Sequence, residues 1–255
     1  MQQLKKSKNR KSKNKYSYSV QYPNDPSINV YGIFTAGSAP SDHNGRQNRF
    51  NLDITSANQI WNSGGACNIN FIPQPIIEVN TVIDVTNLDI NAALEGLVKN
   101  LINQVKQMNG NQAGIYVVYT SGNDFAAPSG SSRPIGVGGV IIENFRLENG
   151  VPEFTLFGSI ALSNRALNFP FAFAHEAGHV LFTQINNQPV NNVFMFESID
   201  PTGPFIDSVG NVDPAHSNLT GNLMAPILPI NTPTINPLQC QKASMSRIFQ
   251  NTTMA

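Results

Sequence analysis

The sequence has few charged residues, few cysteines and no long apolar run. Charged side chains make up 13% of its 255 residues, about half the share that is usual in soluble domains, and Asn, Gln, Ser and Thr take their place. No apolar run reaches the roughly 18 residues of a membrane helix, and the N-terminus lacks the apolar segment of a signal peptide. We therefore expect no membrane span, and the location stays open between the cytoplasm and export without a signal peptide, an extracellular role included.

Only two cysteines are present, Cys67 and Cys240. Two cysteines so far apart are not the framework of a disulfide-rich domain, and they do not have the spacing of metal ligands. One disulfide in an oxidising compartment and two buried thiols in a reducing one both agree with the sequence.

Acidic residues are missing from the first fifteen positions, which hold seven of the sixteen Lys and Arg residues. The other 240 positions have nine basic and sixteen acidic residues, so a chain with zero net charge consists of a basic tail and a body of charge −7. Residues 1–18 are almost free of apolar side chains and repel one another, so we expect disorder. They suit a solubilising tail, or contact with a polyanion through counterion release.

Strands and helices are predicted to alternate along residues 19–255, which have the length of a single domain. Runs of β-branched and aromatic residues predict six strands, at 28–34, 67–73, 79–85, 114–120, 134–142 and 154–163. A short helix capped by Asp53 and a long amphipathic helix from Ile90 to Met108 are also predicted, with a C-terminal helix from about Leu238. The glycines of the fifth run indicate an edge or bulged strand that another backbone approaches closely. These elements predict an α+β fold with a mixed sheet.

A further helix, predicted to start near Asn168-Phe-Pro170, contains the motif His175-Glu176-Ala-Gly-His179. Histidines four residues apart lie on one helical face, so both imidazoles can bind one Zn²⁺ while the adjacent Glu points toward a metal-bound water. The alternative is an amphipathic helix with two core histidines. That alternative leaves the three ionisable groups unexplained, because neighbouring apolar residues already supply the core contacts.

A catalytic zinc needs a third protein ligand. His216 is the only histidine after this helix, and it is followed by Asn-Leu-Met-Ala-Pro at 222–226. This segment resembles the Met-turn of metzincin zinc proteases, and the order of strands and helices from about residue 27 to the end is similar to theirs. The resemblance implies a zincin-type fold and the following roles: zinc ligands His175, His179 and His216, general base Glu176 and Met-turn residue Met224.

The third ligand departs from the usual metzincin spacing, because Phe182 and Ile185 stand where the short signature has Gly and His. Segment 179–216 then becomes a long insertion between zinc ligands. Its extra closure entropy, about 2 kcal/mol, is small beside the free energy of metal binding. Glu197, in the manner of gluzincin peptidases, and Asp213 stay open as alternative third ligands.

Weaker candidates are also present. A Gly- and Pro-rich loop could bind Ca²⁺ through Asp200, Asp207 and Asp213, although a solvated acidic loop is the simpler interpretation. Three side chains could polarise a substrate carbonyl if they faced a cleft, namely Tyr116, Tyr119 and Arg133.

These patterns predict that residues 19–255 form one zinc metalloprotease domain that hydrolyses polypeptides. A metal-activated water would attack the peptide bond with Glu176 as general base. The strand at 134–142 is the candidate edge for an extended substrate. Two other functions agree with the residues: a catalytically silent zincin-fold binding module, and a polyanion-binding protein that acts through residues 1–18.

Overall fold

The computed structural model describes residues 26–62, 67–90, 94–127, 133–148, 151–190, 193–229 and 231–252. Its strands are β1 (Ser27–Ala36), β2 (Asn70–Pro73), β3 (Ile77–Val82), β4 (Ile115–Tyr119), β5 (Gly136–Glu148), β6 (Val151–Leu162), β7 (Thr183–Val190), β8 (Val193–Ser198), β9 (Phe205–Ile206) and β10 (Val212–Asp213). Its α-helices are α1 (His43–Trp61), α2 (Lys99–Met108), α3 (Ala172–Leu181) and α4 (Pro237–Ser244). The fold is α+β. The predicted tail at 1–18 lies outside the described residues, and in the described part no helix is long and apolar enough to span a membrane.

A mixed sheet of six strands forms the centre of the fold. Five of them follow the order β2-β1-β4-β6-β5, and the sixth, β3, also pairs with β1. β2 pairs with the first half of β1 and β3 with the second half, both in parallel. β4 is parallel to both of its neighbours, whereas β5 is antiparallel to β6 and lies at the edge of the sheet. The six predicted strands and the edge position of the glycine-rich strand are thereby confirmed, with shifted strand ends.

Helices cover both faces of this sheet. Apolar side chains of α1, α3 and α4 pack with one face of β1, β4 and β6, and those of α2 pack with the other face. β4 is buried along its whole length, as expected for a parallel strand covered on both sides. The active-site candidate α3 therefore lies against the sheet, between α1 and α4.

The start of α1 was predicted wrongly. Asp42, not Asp53, caps this helix, and its side chain accepts a hydrogen bond from the Gly45 backbone at 2.8 Å. Asp53 lies inside the helix, where it is buried and accepts a hydrogen bond of 2.8 Å from the Tyr119 hydroxyl. The first half of α1 escaped prediction because two of its inward positions are Arg46 and Arg49, which no apolar pattern includes.

The long backing helix predicted from Ile90 to Met108 is interrupted at Gly96. α2 is regular α-helix, Ile90 is also helical, and residues 91–93 lie outside the described part of the chain. The π-type turn that precedes α2, Leu94–Val98, has non-helical torsion angles at Gly96 (φ −110°, ψ −108°). Leu97 and Met108, two apolar residues of the predicted helix, are 52% and 70% exposed. A helix with a glycine inside loses about 1 kcal/mol relative to alanine, which favours the break at this position.

The two cysteines form a disulfide, with their Cα atoms 4.5 Å apart. It joins Cys67, just before β2, to Cys240 in α4. The C-terminal helix is thus attached covalently to the segment just before β2.

Candidate metal centre

α3 holds the His-Glu-x-x-His motif in the interior of the fold. Every residue of the helix is buried, and the indole Nε1 of Trp61 in α1 donates a hydrogen bond of 3.1 Å to the Ala174 carbonyl. Helical spacing places His175 and His179 on one face of α3.

The three predicted histidines lie together. The Nε2 atoms of His175 and His179 are 3.2 Å apart, and the His216 ring centroid lies 5.3 and 4.8 Å from those of His175 and His179. One nitrogen from each ring belongs to a group whose atoms all lie within 4.8 Å of one another. Segment 179–216 therefore brings His216 back to α3, and it contains two hairpins, β7–β8 and β9–β10, that the sequence did not predict.

Hydrogen bonds determine which nitrogen of two rings carries the proton. The Nδ1 atom of His175 donates to the Leu223 carbonyl at 2.7 Å, and that of His216 donates to the Asp213 carboxylate at 2.7 Å. Because a carbonyl and a carboxylate only accept, both Nδ1 atoms carry a proton, and Nε2 is the nitrogen of each ring that could bind a metal. The Nδ1 of His179 lies 3.5 Å from the Ser198 hydroxyl.

Burial keeps the two helix histidines neutral. Loss of hydration, with the charge of His216 as the second cause, lowers the pKa of His175 to about 4. Loss of hydration also lowers the pKa of His179 well below its usual value. Neutral imidazole is the form that binds a metal ion.

The spacing of the two helix histidines fits a zinc ion. Bonds of about 2.0–2.1 Å in tetrahedral geometry place two ligand nitrogens about 3.3 Å apart, close to the 3.2 Å between His175 and His179. Lone pairs that converge in a buried site repel one another unless a cation or a proton lies between them. The three histidines are thus the residues that could hold a metal here.

Glu176 lies on the side of α3 that packs against two glycines of the edge strand β5. Burial raises its pKa to about 8, opposed by a hydrogen bond from the Gly138 backbone. A Cβ atom at Gly138 would lie 2.9 Å from the carbonyl carbon of Glu176, and nearer still to the oxygen, while one at Gly136 would lie 2.7 Å from Oε1. The close backbone approach predicted from the glycines is confirmed.

Met224 packs beneath the same helix. Its side chain is fully buried, and a Cβ atom at Gly178 would lie 3.0 Å from its Cε and nearer still to its Sδ. The preceding residue, Leu223, supplies the carbonyl that accepts from His175. Segment 222–226 therefore contacts α3 both below the motif and at its first histidine.

The alternative third ligands occupy other positions. Glu197 lies in β8, opposite Gln184, and not in a helix. Asp213 accepts a hydrogen bond from His216 Nδ1 and does not belong to the histidine group. In the described ranges, the three histidines are the only group of three or more His, Cys, Asp or Glu side chains that could hold a metal ion.

The carboxylates considered for Ca²⁺ each have their own partners. Asp200 accepts from Gln239 and Thr202, and Asp207 accepts from the backbone of Val209 and Asn211. The structure does not bring them into one group with Asp213.

The tyrosines considered for substrate binding face the core. Tyr116 and Tyr119 are fully buried, and their hydroxyls donate to the Gln112 carbonyl and to Asp53 at 2.8 Å each. Arg133 is exposed. Neither tyrosine is therefore available to polarise a substrate carbonyl.

A cavity of about 470 Å³ lies beyond the C-terminal end of α3, away from the histidines. Phe154, Leu181, Phe196 and Arg247 are among its lining residues, whereas the three histidines and Glu176 are not. Hydrogen bonding and burial, rather than cavity volume, identify the histidine cluster as the candidate site.

Comparison with known proteins identifies no family. No model of a protein family matches the chain, and no curated protein has a matching sequence. Among solved structures, one similar chain is described as the structure of a chaperone-substrate complex, with a TM-score of 0.45 and 11% sequence identity. The match covers 89% of this chain and 35% of that chain. At this similarity the match carries no argument about function.

Proposed function

We propose that this chain is a zinc-dependent endopeptidase with a metzincin-like fold and active site. The observation that carries the proposal is the convergence of His175, His179 and His216. Glu176 lies next to the first of them in α3, and Met224 packs beneath that helix. A histidine cluster that only bound a metal ion would not need a buried glutamate beside it.

The residues of the site divide the chemistry among them. The three histidines would hold Zn²⁺, which when bound polarises the scissile carbonyl and lowers the pKa of water to about 7. Glu176 would accept the proton of the attacking water and pass it to the leaving amine. Its hydrogen bond from Gly138 orients the carboxylate, and Asp213 and Leu223 orient the rings of His216 and His175.

The edge strand β5 supports a polypeptide substrate. β5 pairs with β6 on one side, and its other side has no strand partner in the described part of the chain. An extended peptide would add to this free edge through backbone hydrogen bonds. Gly136 and Gly138 lie against Glu176, so a peptide on this edge would pass close to the catalytic carboxylate.

The experiment compares casein cleavage and zinc content in wild type and in the Glu176→Gln variant. We expect the variant to retain zinc and to lose about 10²- to 10⁴-fold in cleavage rate, the usual contribution of a general base. Glu148→Gln, at the exposed end of β5, is the matched control and should cleave as wild type does. Unchanged cleavage by Glu176→Gln would refute the proposal, and a wild type that binds zinc but cleaves nothing would indicate a silent binding module.

A further inference from the structure

We infer that Gln239, in the C-terminal helix α4, is the positioning residue that holds the third histidine and the Met-turn in place. This inference rests on the proposed metal site and extends it to a residue that contacts none of the three histidines. Contacts of Gln239 would fix the position of His216 at the end of the long segment 179–216.

The carboxamide of Gln239 is fully buried and fully bonded. Its Nε2 donates to Asp200 Oδ2 at 2.6 Å and to Asn222 Oδ1 at 2.9 Å. Its Oε1 accepts from Asn222 Nδ2 at 2.9 Å and from the Asn236 backbone at 2.8 Å. One side chain thus joins three segments of the chain, those at 200, 222 and 236.

The Asp200 contact leads to the third histidine. Asp200 is 3% exposed; its Oδ1 accepts from the Thr202 hydroxyl at 2.6 Å, and its backbone N–H donates to the Pro214 carbonyl at 2.8 Å. The Thr202 hydroxyl lies 2.8 Å from that of Ser217, the residue after His216. His216 is therefore held on both sides by groups attached to Asp200.

The Asn222 contact leads to the other side of the metal site. Asn222 Oδ1 accepts from the Met224 backbone at 2.9 Å, and the Met224 carbonyl accepts from the Ser217 backbone at 2.8 Å. Leu223, between Asn222 and Met224 in the sequence, accepts a hydrogen bond from the His175 ring through its carbonyl. Both branches from Gln239 end at a histidine of the cluster.

This network determines one arrangement because its polar groups are costly to leave unpaired. A buried carboxylate such as Asp200 must receive hydrogen bonds, and a buried amide that loses its partners destabilises the fold. Any displacement of the insertion relative to α4 would break the contact between Asp200 and Gln239. The network therefore replaces the short glycine-containing spacer that this sequence lacks.

The test uses Gln239→Glu, which has the same shape as the wild-type side chain. The Oε1 atom that caps α4 remains, but an oxygen replaces the Nε2 donor and faces Asp200 and Asn222. Zinc affinity is measured on the full chain by competition with a chromophoric chelator, and the zinc-free fold is checked by circular dichroism. We expect zinc affinity to fall about 10- to 100-fold, as for other residues that support a metal ligand. Gln241→Glu, exposed on the same helix, adds the same charge and should bind zinc as wild type does.

Two further variants keep the inference testable if Gln239→Glu unfolds. Thr202→Val is uncharged and nearly isosteric. It removes the hydroxyl that joins Asp200 to Ser217 and accepts a long hydrogen bond of 3.5 Å from Gln239 Nε2, and it leaves the bonds of Gln239 to Asp200 and Asn222 in place, so we expect a smaller loss of zinc affinity. In the double variant with Asp200→Asn and Gln239→Glu, the new amide at position 200 can donate to the new carboxylate at position 239. Part of the affinity should return, but not all, because Glu at 239 still faces Asn222 Oδ1.

The visible spectrum of the cobalt-substituted protein separates positioning from stability. A residue that only stabilises the fold would lower the melting temperature and leave this spectrum unchanged, whereas a displaced His216 changes it. If wild type binds zinc and both Gln239→Glu and Thr202→Val bind it equally tightly, the inference is wrong and the proposed function stands. A wild type that binds no zinc contradicts both.

Discussion

Gly138 is the point where the edge strand β5 meets α3, and Gly138→Ala tests that contact. The added methyl would lie 2.9 Å from the carbonyl carbon and 3.1 Å from the Cα of Glu176. Carbon atoms in contact prefer about 3.5–4.0 Å, so β5 and α3 must separate by roughly 0.6 Å or more. The obstacle is backbone, which cannot rotate away as a side chain would.

The expected cost follows from two opposing effects. Overpacking a tightly packed interior costs about 1–3 kcal/mol, while alanine is better than glycine in a strand by roughly 0.5–1 kcal/mol. We therefore expect Gly138→Ala to lower the free energy of unfolding by about 1–2 kcal/mol. The separation also lengthens the hydrogen bond from the Gly138 backbone to the Glu176 carboxylate.

Urea unfolding followed by tryptophan fluorescence measures this effect. Trp61 is the only tryptophan; it is fully buried and bonded to α3, so its emission reports on packing beside the site. Gly139→Ala is the matched control, because successive side chains of a strand point to opposite faces, and it should unfold near the wild-type midpoint. Equal midpoints for wild type, Gly138→Ala and Gly139→Ala would refute the proposed contact between β5 and α3.

Two further predictions use the same unfolding assay. Replacing both Cys67 and Cys240 by Ser opens a bond between residues 173 positions apart and should lower the free energy of unfolding by about 5 kcal/mol through chain entropy; a loss below about 1 kcal/mol contradicts this. Burial, opposed by the charge of Arg49 and the hydrogen bond from Tyr119, raises the pKa of Asp53 from 3.8 to about 6, so its contribution to stability is present below pH 3.8 and is lost as the pH rises through 6. The stability of Asp53→Asn relative to wild type should rise over that interval, and parallel curves for the two proteins would show that Asp53 does not titrate there.

The features that sequence could predict are those with a local pattern. Four-residue spacing places His175 and His179 on one helical face wherever the helix lies, and apolar runs identify the strands of the sheet. The glycines of β5 indicate a close backbone approach even though they do not say to which residue. His216 was predicted as the third ligand because no other histidine follows the helix, and not because of its spacing from the motif.

The remaining features depend on contacts between distant residues. Gln239 meets Asp200 and Asn222 across 39 and 17 positions, and polar pairs of this kind leave no periodic pattern. The start of α1 was missed because buried Arg46 and Arg49 interrupt its apolar face. Whether the cysteines pair was equally open, since pairing depends on where the chain brings them.

Zinc stoichiometry measured on purified protein tests whether His175, His179 and His216 hold one zinc ion. Wild type, His216→Ala and Glu197→Ala would each be dialysed against zinc, freed of loosely bound metal and analysed by atomic absorption. We predict one zinc per chain in wild type and in Glu197→Ala, and loss of zinc in His216→Ala. Zinc retained by His216→Ala and lost by Glu197→Ala would contradict the account and indicate Glu197 as the third ligand.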